Sequence, residues 1–471
     1  MAVAAITASV CAAQDWPQYQ GPTRDAHSPE TGILRSWPAS GPEILWKVDV
    51  GIGFGGTVIK DGKVYLLDRN DEVGDIMRCF DLSTGKELWN YSYDAPGSVM
   101  YPGSRSVPAI DGNKVYSVGP YGDLYCFDTD THAPVWKHNV WKDFGGGQIP
   151  MWAISQCPLI YGNLLIVASQ APGAGVVAYD KNTGDVVWAT PSLGPVGYSS
   201  PNLVKISGED HIVMPTSSDG GKGHIVGINP KDGKILWDFD SWECRIPCGM
   251  VTPCGDNRML MVGGYELGAL MIQVTKNADG TFTPKELFRT TAFGDQTKPA
   301  VFHDGYFYGM YRTNAKRDGL MCMDTEGNIK WKTSRNPNFD RGSIIIVDGL
   351  MIASDGESKL YLIDPSGEEY KQISVAELLV NYVPSGSATP GPPQGRPGGA
   401  PGQGRPAGGP GQGRPDGAGP QGPQGRPGGA PGPQMGNNNN TAGQNWAPMA
   451  LSDGKLIIRD QTQMICVKVS K

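Results

Sequence analysis

The sequence predicts an all-β fold, an eight-bladed β-propeller of four-stranded antiparallel blades, and three observations carry that prediction. A turn followed by a strand with a tryptophan, first met at Asp81-Leu-Ser-Thr-Gly85-Lys-Glu-Leu-Trp89, recurs about every 45 residues, the period of a propeller blade. Between its copies stands a second hairpin signal, Asp or Asn beside Gly. Lastly, the chain ends in a unit that lacks its outer strand, and an outer strand with nothing before it opens the repeat region.

The segments follow in order. Residues 1–13 are apolar and small and break sharply at Gln14-Asp15-Trp16, which resembles a secretory signal cleaved near Ala13. The basic start of such a signal is missing, which a truncated or misassigned beginning would account for. A lipid anchor on Cys11 is the alternative, against which Val10 is bulkier than such a site wants. Export to the periplasm or the extracellular space is expected. Residues 14–43, with Trp16, Tyr19 and Trp37 but little periodicity, read as an extended cap that packs its aromatics on the domain.

From residue 44 the repeat sets in, and the propeller is assigned to 44–383 and 445–471. Asp81 can hydrogen-bond the backbone of its own turn and Gly85 can take the positive φ that the turn requires. Outer-strand aromatics fall at Trp46, Trp89, Trp136, Trp188, Trp237, Phe288, Trp331 and Tyr370. Variants of the turn precede most of them, at Asp128, Asp180, Asn229, Asp324 and Asp364, whereas Asn277-Ala-Asp-Gly280 before Phe288 is looser. The inner hairpins turn at Asp61-Gly62, Asp111-Gly112, Asp304-Gly305, Asp348-Gly349 and Asp453-Gly454. Residues 446–471 supply three strands, so pairing 44–50 with 464–469 closes the ring and removes open edges.

The Asp-x-x-Thr-Gly-x-x-x-Trp turn resembles the tryptophan-docking repeat of the pyrroloquinoline-quinone-like propellers. These include quinoprotein alcohol dehydrogenases and the propeller lipoprotein of the outer-membrane β-barrel assembly machinery. The resemblance implies that Trp46, Trp89, Trp136, Trp188, Trp237 and Trp331 are structural, each packing on the neighbouring blade. Asp15-Trp-Pro-Gln-Tyr-Gln-Gly-Pro22 is similar to the lead-in of exported bacterial members.

Residues 384–444 break the pattern. Gln-Gly-Arg-Pro recurs at 394, 403, 412 and 424 among Gly, Pro, Ala and Gln, ending in Asn437–Asn440. Collagen needs glycine strictly at every third position, which holds only briefly here. With almost nothing to bury, the segment is expected to be a disordered loop insertion. Its arginines make it mildly basic, which leaves an acidic or polysaccharide partner open beside an inert loop.

Composition narrows the function. A net charge of −7 gives no footprint for nucleic acid, and no apolar run reaches the length of a transmembrane helix. Cys244, Cys248 and Cys254 lie close together. Their spacing is not that of paired zinc knuckles and no histidine is near. A disulfide among the three, or small buried thiols, are the better alternatives. No zinc-protease helix, phosphate loop or nucleophile elbow is present, and His211 and His303 sit at hairpins. No metal is assigned and the catalytic residues stay unknown.

The residues just before the inner strands ring the mouth of a propeller's central channel. They are Arg105, Trp152 with Gln156, Tyr198, Arg245, Lys298, Arg341 and Trp446. This cationic and aromatic set suits a small anionic or sugar-like ligand. The plainer alternative is that local carboxylates such as Glu243, Asp295 and Asp340 neutralise the cations and plug the channel. Three functions stay open: an exported, monomeric binding or scaffolding propeller with a protein or envelope partner; a quinoprotein oxidoreductase; and a carbohydrate-binding or carbohydrate-active protein. No cofactor is expected except in the second, where the resemblance implies pyrroloquinoline quinone with calcium. The chain lacks the adjacent cysteine pair usual there.

Overall fold

The structure, a computed structural model, describes residues 14–312, 317–380 and 444–471. The leader at 1–13 and residues 384–443 of the expected insertion lie outside the described residues. Eight small antiparallel sheets follow one another along the chain, and the only helical turn among the described residues is Lys142–Phe144. The first blade is Thr57–Lys60, Lys63–Asn70, Gly74–Asp81 and Glu87–Asp94, paired in that order. The ring closes as expected: Glu43–Asp49 pairs with Gln463–Lys468, which continues to Lys455–Arg459 and Ala450–Ser452.

The repeated turn works as its chemistry dictates. Asp81 Oδ1 accepts the amides of Ser83 at 3.0 Å and Thr84 at 2.8 Å, and the Gly85 amide closes on the Asp81 carbonyl at 2.9 Å. Gly85 takes φ 70°, where a side chain would be strained. Its bare Cα lets the previous blade dock: a Cβ there would stand 2.6 Å from the Trp46 ring. The Trp46 indole N–H donates to the Leu82 carbonyl at 2.8 Å. Trp136 on Lys181, Trp188 on Pro230 and Trp331 on Ser366 repeat the bond at 3.2, 3.1 and 2.8 Å.

Two tryptophans depart from this pattern. Trp89 meets His132 where the other turns carry glycine. His132 takes φ 62° and stacks on the indole at 5.1 Å, and the indole N–H is left buried without a partner. Trp237 turns its N–H into its own blade, donating to His211 Nδ1 at 3.1 Å. The blade that follows is the one with the loose turn, which offers no Asp-x-x-Thr-Gly platform.

Most of the apolar core lies in seams between adjacent blades, such as Tyr116, Cys126, Trp141, Val167 and Tyr179 between the second and third. All eight described cysteines are free thiols, so Cys244, Cys248 and Cys254 form no disulfide.

The cap buries Trp16, Tyr19 and Trp37, as its aromatics predict, and it goes further than packing. Trp16 exchanges backbone hydrogen bonds with Ile59 at 2.9 Å, and the Pro17 carbonyl accepts from Ile110 at 2.8 Å. His27–Ser28 then joins the seventh blade in parallel beside Ile344–Val347, as a fifth strand on its innermost edge. Between these points the Arg24 guanidinium donates to the carbonyls of Pro158 at 3.1 Å and Pro201 at 2.8 Å. The cap therefore occupies the central channel, entering from the face that carries the inner hairpin turns. Glu30 caps one such turn, accepting the Asp453 and Gly454 amides at 2.7 Å.

Candidate functional site

The opposite face is formed by the segments that lead into the inner strands. Because all inner strands run the same way through the disk, these segments converge around the channel mouth. Arg105 donates to three backbone carbonyls, those of Trp152, Tyr101 and, at 2.5 Å, Met100. Its Nε is buried without a partner, and among the described residues no carboxylate pairs with it. The Trp152 ring meets Tyr198 edge-on at 5.6 Å and 82°.

On the other side the Arg341 guanidinium lies 4.6 Å from the centre of the Trp446 ring. It donates to Gln296 Oε1 from Nε at 3.2 Å and from Nη2 at 2.8 Å, with the Asp340 carboxylate farther off at 3.4 Å. The Lys298 ammonium is held by two carbonyls, of Arg341 and Trp446, both at 2.8 Å. Trp446 also stacks on Phe54 at 5.2 Å and meets Tyr101 at 6.1 Å. Tyr198, Trp152, Arg105, Tyr101, Trp446, Arg341 and Lys298 thus form one continuous arc.

Two residues of the expected set do other work. Arg245 is exposed and paired with Asp219 at 3.1 Å, not with Glu243. Gln156 is fully buried and braces loops, donating to the Gly197 carbonyl at 2.8 Å and accepting the Ser155 amide at 3.0 Å. Phe54, Tyr101 and Gln296 belong to the mouth and were not singled out by sequence, and Cys248, weighed there only with Cys244 and Cys254, belongs to it too. Phe54, Tyr101 and Cys248 share the position before an inner strand, and that position was the available signal.

Burial dominates the electrostatics. It pulls Arg105 down to about 10, and Lys298 down to about 8 against the opposing pull of Asp295. Asp295 is the charge that acts most on Lys298, without a direct side-chain hydrogen bond to it. Its carboxylate is spent on the Thr297, Lys298 and Met310 amides at 2.9, 3.0 and 3.1 Å, and burial raises its pKa. Cys248 is pushed up to about 12 by burial, with Arg105 and Arg341 both acting to lower it. Neutral acceptors hold Arg105 and Lys298 and carry most of the Arg341 contacts, an arrangement in which an anion can supply counter-charge through charge-assisted hydrogen bonds.

Phe54 and Arg341 already lie against the Trp446 indole. Among the described residues no group of three or more His, Cys, Asp or Glu side chains converges as a metal cage.

A family model described as outer membrane protein assembly factor BamB matches residues 72–240. The quinoprotein alcohol dehydrogenase PedH of Pseudomonas putida is 31% identical over 177 residues, which is 35% of this chain and 27% of that relative's length. Among solved structures, a europium-containing methanol dehydrogenase superposes with a TM-score of 0.55 at 14% identity, covering 78% of this chain and 85% of its own. BamB from Moraxella catarrhalis superposes with a TM-score of 0.52 at 12% identity, covering 90% and 97%. No helix among the described residues is long and apolar enough to cross a membrane.

Proposed function

Starting from a chain that is a β-propeller of pyrroloquinoline-quinone-like repeats, we propose that it is an exported binding propeller whose channel mouth takes an anionic group. The observation that carries this reading is Arg105: a guanidinium at the mouth held by carbonyls alone, across the arc from Arg341 on Trp446. The rim adds exposed apolar side chains, Ile52, Met100, Tyr101, Met151 and Tyr265. They suit a protein partner that offers an acidic side chain to the cations. The similarity to a propeller described as an outer-membrane assembly factor supports export to the cell envelope and a protein partner there.

Isothermal titration with a glutamate-rich peptide tests the reading. Arg105→Gln or Arg341→Gln is expected to weaken binding by about 1.5–3 kcal/mol, the scale of a hydrogen bond to a charged group, without lowering the melting temperature of the blades. Unchanged affinity in both variants would remove the mouth as the site.

A second reading, a quinoprotein-like oxidoreductase, rests on the 177-residue similarity to an alcohol dehydrogenase. Incubation with the quinone and calcium, followed by a dye-coupled alcohol assay, tests it directly.

A further inference from the structure

His27 lies on the cap strand that joins the seventh blade, and His303 ends the inner strand Val301–His303 of the sixth. Far apart in sequence, the two rings meet with centroids 5.4 Å apart, and His27 Nε2 faces His303 Nδ1 at 3.3 Å. Each outer nitrogen faces an acceptor. His27 Nδ1 is 3.0 Å from the Asp25 carbonyl, an atom that only accepts, so in the neutral ring Nδ1 carries the proton. His303 Nε2 is 3.4 Å from the Asp304 carboxylate, which draws the proton of that ring to Nε2. The two nitrogens that face each other are then both lone pairs.

With both lone pairs facing, the arrangement suits a cation between the rings. The 3.3 Å separation is within hydrogen-bonding reach when one of the two nitrogens carries a proton. It matches the distance of about 3.3–3.4 Å between two imidazole nitrogens that each bind one tetrahedral ion at about 2.0–2.1 Å. We propose that His27 and His303 bind one divalent first-row transition-metal ion of the zinc type, which clips the cap to the sixth blade. Imidazole nitrogen suits zinc, nickel and copper. An acceptor behind each ring, here the Asp25 carbonyl and the Asp304 carboxylate, is the outer-shell support that orients a ligating histidine. The side chains are 29% and 17% exposed, and no third His, Cys, Asp or Glu completes a cage among the described residues. Water fills the remaining positions and the ion exchanges with solvent.

The test uses the full chain without a polyhistidine tag, stripped with chelator and titrated with zinc chloride against a chromophoric zinc indicator. One equivalent is expected to bind, and to raise the melting temperature because it binds the folded state alone. His27→Gln and His303→Gln are each expected to weaken binding by about tenfold or more, since even outer-shell partners act on that scale, and to abolish the thermal shift. His224→Gln, which alters a half-buried histidine beside Asp238, is expected to change neither. No zinc binding by the unaltered chain, undiminished binding in either clip variant, or binding without a thermal shift would overturn the proposal.

Discussion

Docking of one blade on the next through a bare glycine can be measured with a matched pair of substitutions, Gly85→Ala and Gly62→Ala. The two glycines share a backbone conformation, φ 70° and 71°, but not surroundings. A Cβ on Gly62 meets nothing within 4 Å, whereas one on Gly85 would stand 2.6 Å from the Trp46 ring. Both variants bear the left-handed cost of roughly 1–2 kcal/mol for an L-residue, offset by about 0.4–1 kcal/mol from a stiffer unfolded chain. Gly85→Ala alone adds overpacking of about 1–3 kcal/mol, because the ring that must give way is pinned by its hydrogen bond to Leu82. The difference between the variants, about 1–3 kcal/mol, isolates the docking contact. Urea unfolding followed by far-ultraviolet circular dichroism reads it as a shift of midpoint at constant slope. Adding Trp46→Ala should make Gly85→Ala cheaper, since the clash disappears. Equal losses for Gly62→Ala and Gly85→Ala, within about 0.5 kcal/mol, would refute the docking argument.

Three further outcomes are expected. Deleting Glu43–Asp49 leaves the edge of Gln463–Lys468 unpaired, so the product should aggregate; a soluble deletion variant with an unchanged melting temperature would contradict closure. Trp89→Ala should cost about 3–5 kcal/mol in the same unfolding assay, as the truncation of a large core side chain, and a loss below about 1 kcal/mol would mean the ring does not hold its seam. The folded-state pKa of Lys298, lowered to about 8, lies below its unfolded value of 10.5. Between them the unfolded chain holds more protons, so this group makes stability rise from about pH 8 to 10.5. Anion binding should instead weaken as pH rises through about 8 and the ammonium discharges. Burial pushes the nearby Cys248 up to about 12 and shifts Tyr198 upward, away from pH 8. Lys298→Met should flatten the pH dependence of the titration, and a dependence that survives would assign it to another group.

The repeat, the blade count and the closure of the ring were legible in the sequence because each rests on contacts between residues close in the chain or at a fixed period. Asp81 reaches its own turn, Gly85 bends it, and Trp89 follows on the next strand. Position before an inner strand was also enough to draw Arg105, Trp152, Tyr198, Arg341 and Trp446 to one mouth. What each side chain does there was decided only by tertiary structure, because it depends on neighbours contributed by other blades. Arg245 occupies an equivalent position yet turns out to solvent, where Asp219 neutralises it. Trp237 carries the same signature as Trp188 but bonds His211, since the blade ahead of it lacks the usual turn. The course of residues 14–43 was the least legible. It has no periodicity of its own, and its strand, its Arg24 anchor and the meeting of His27 with His303 exist only because eight blades leave a channel for it to fill.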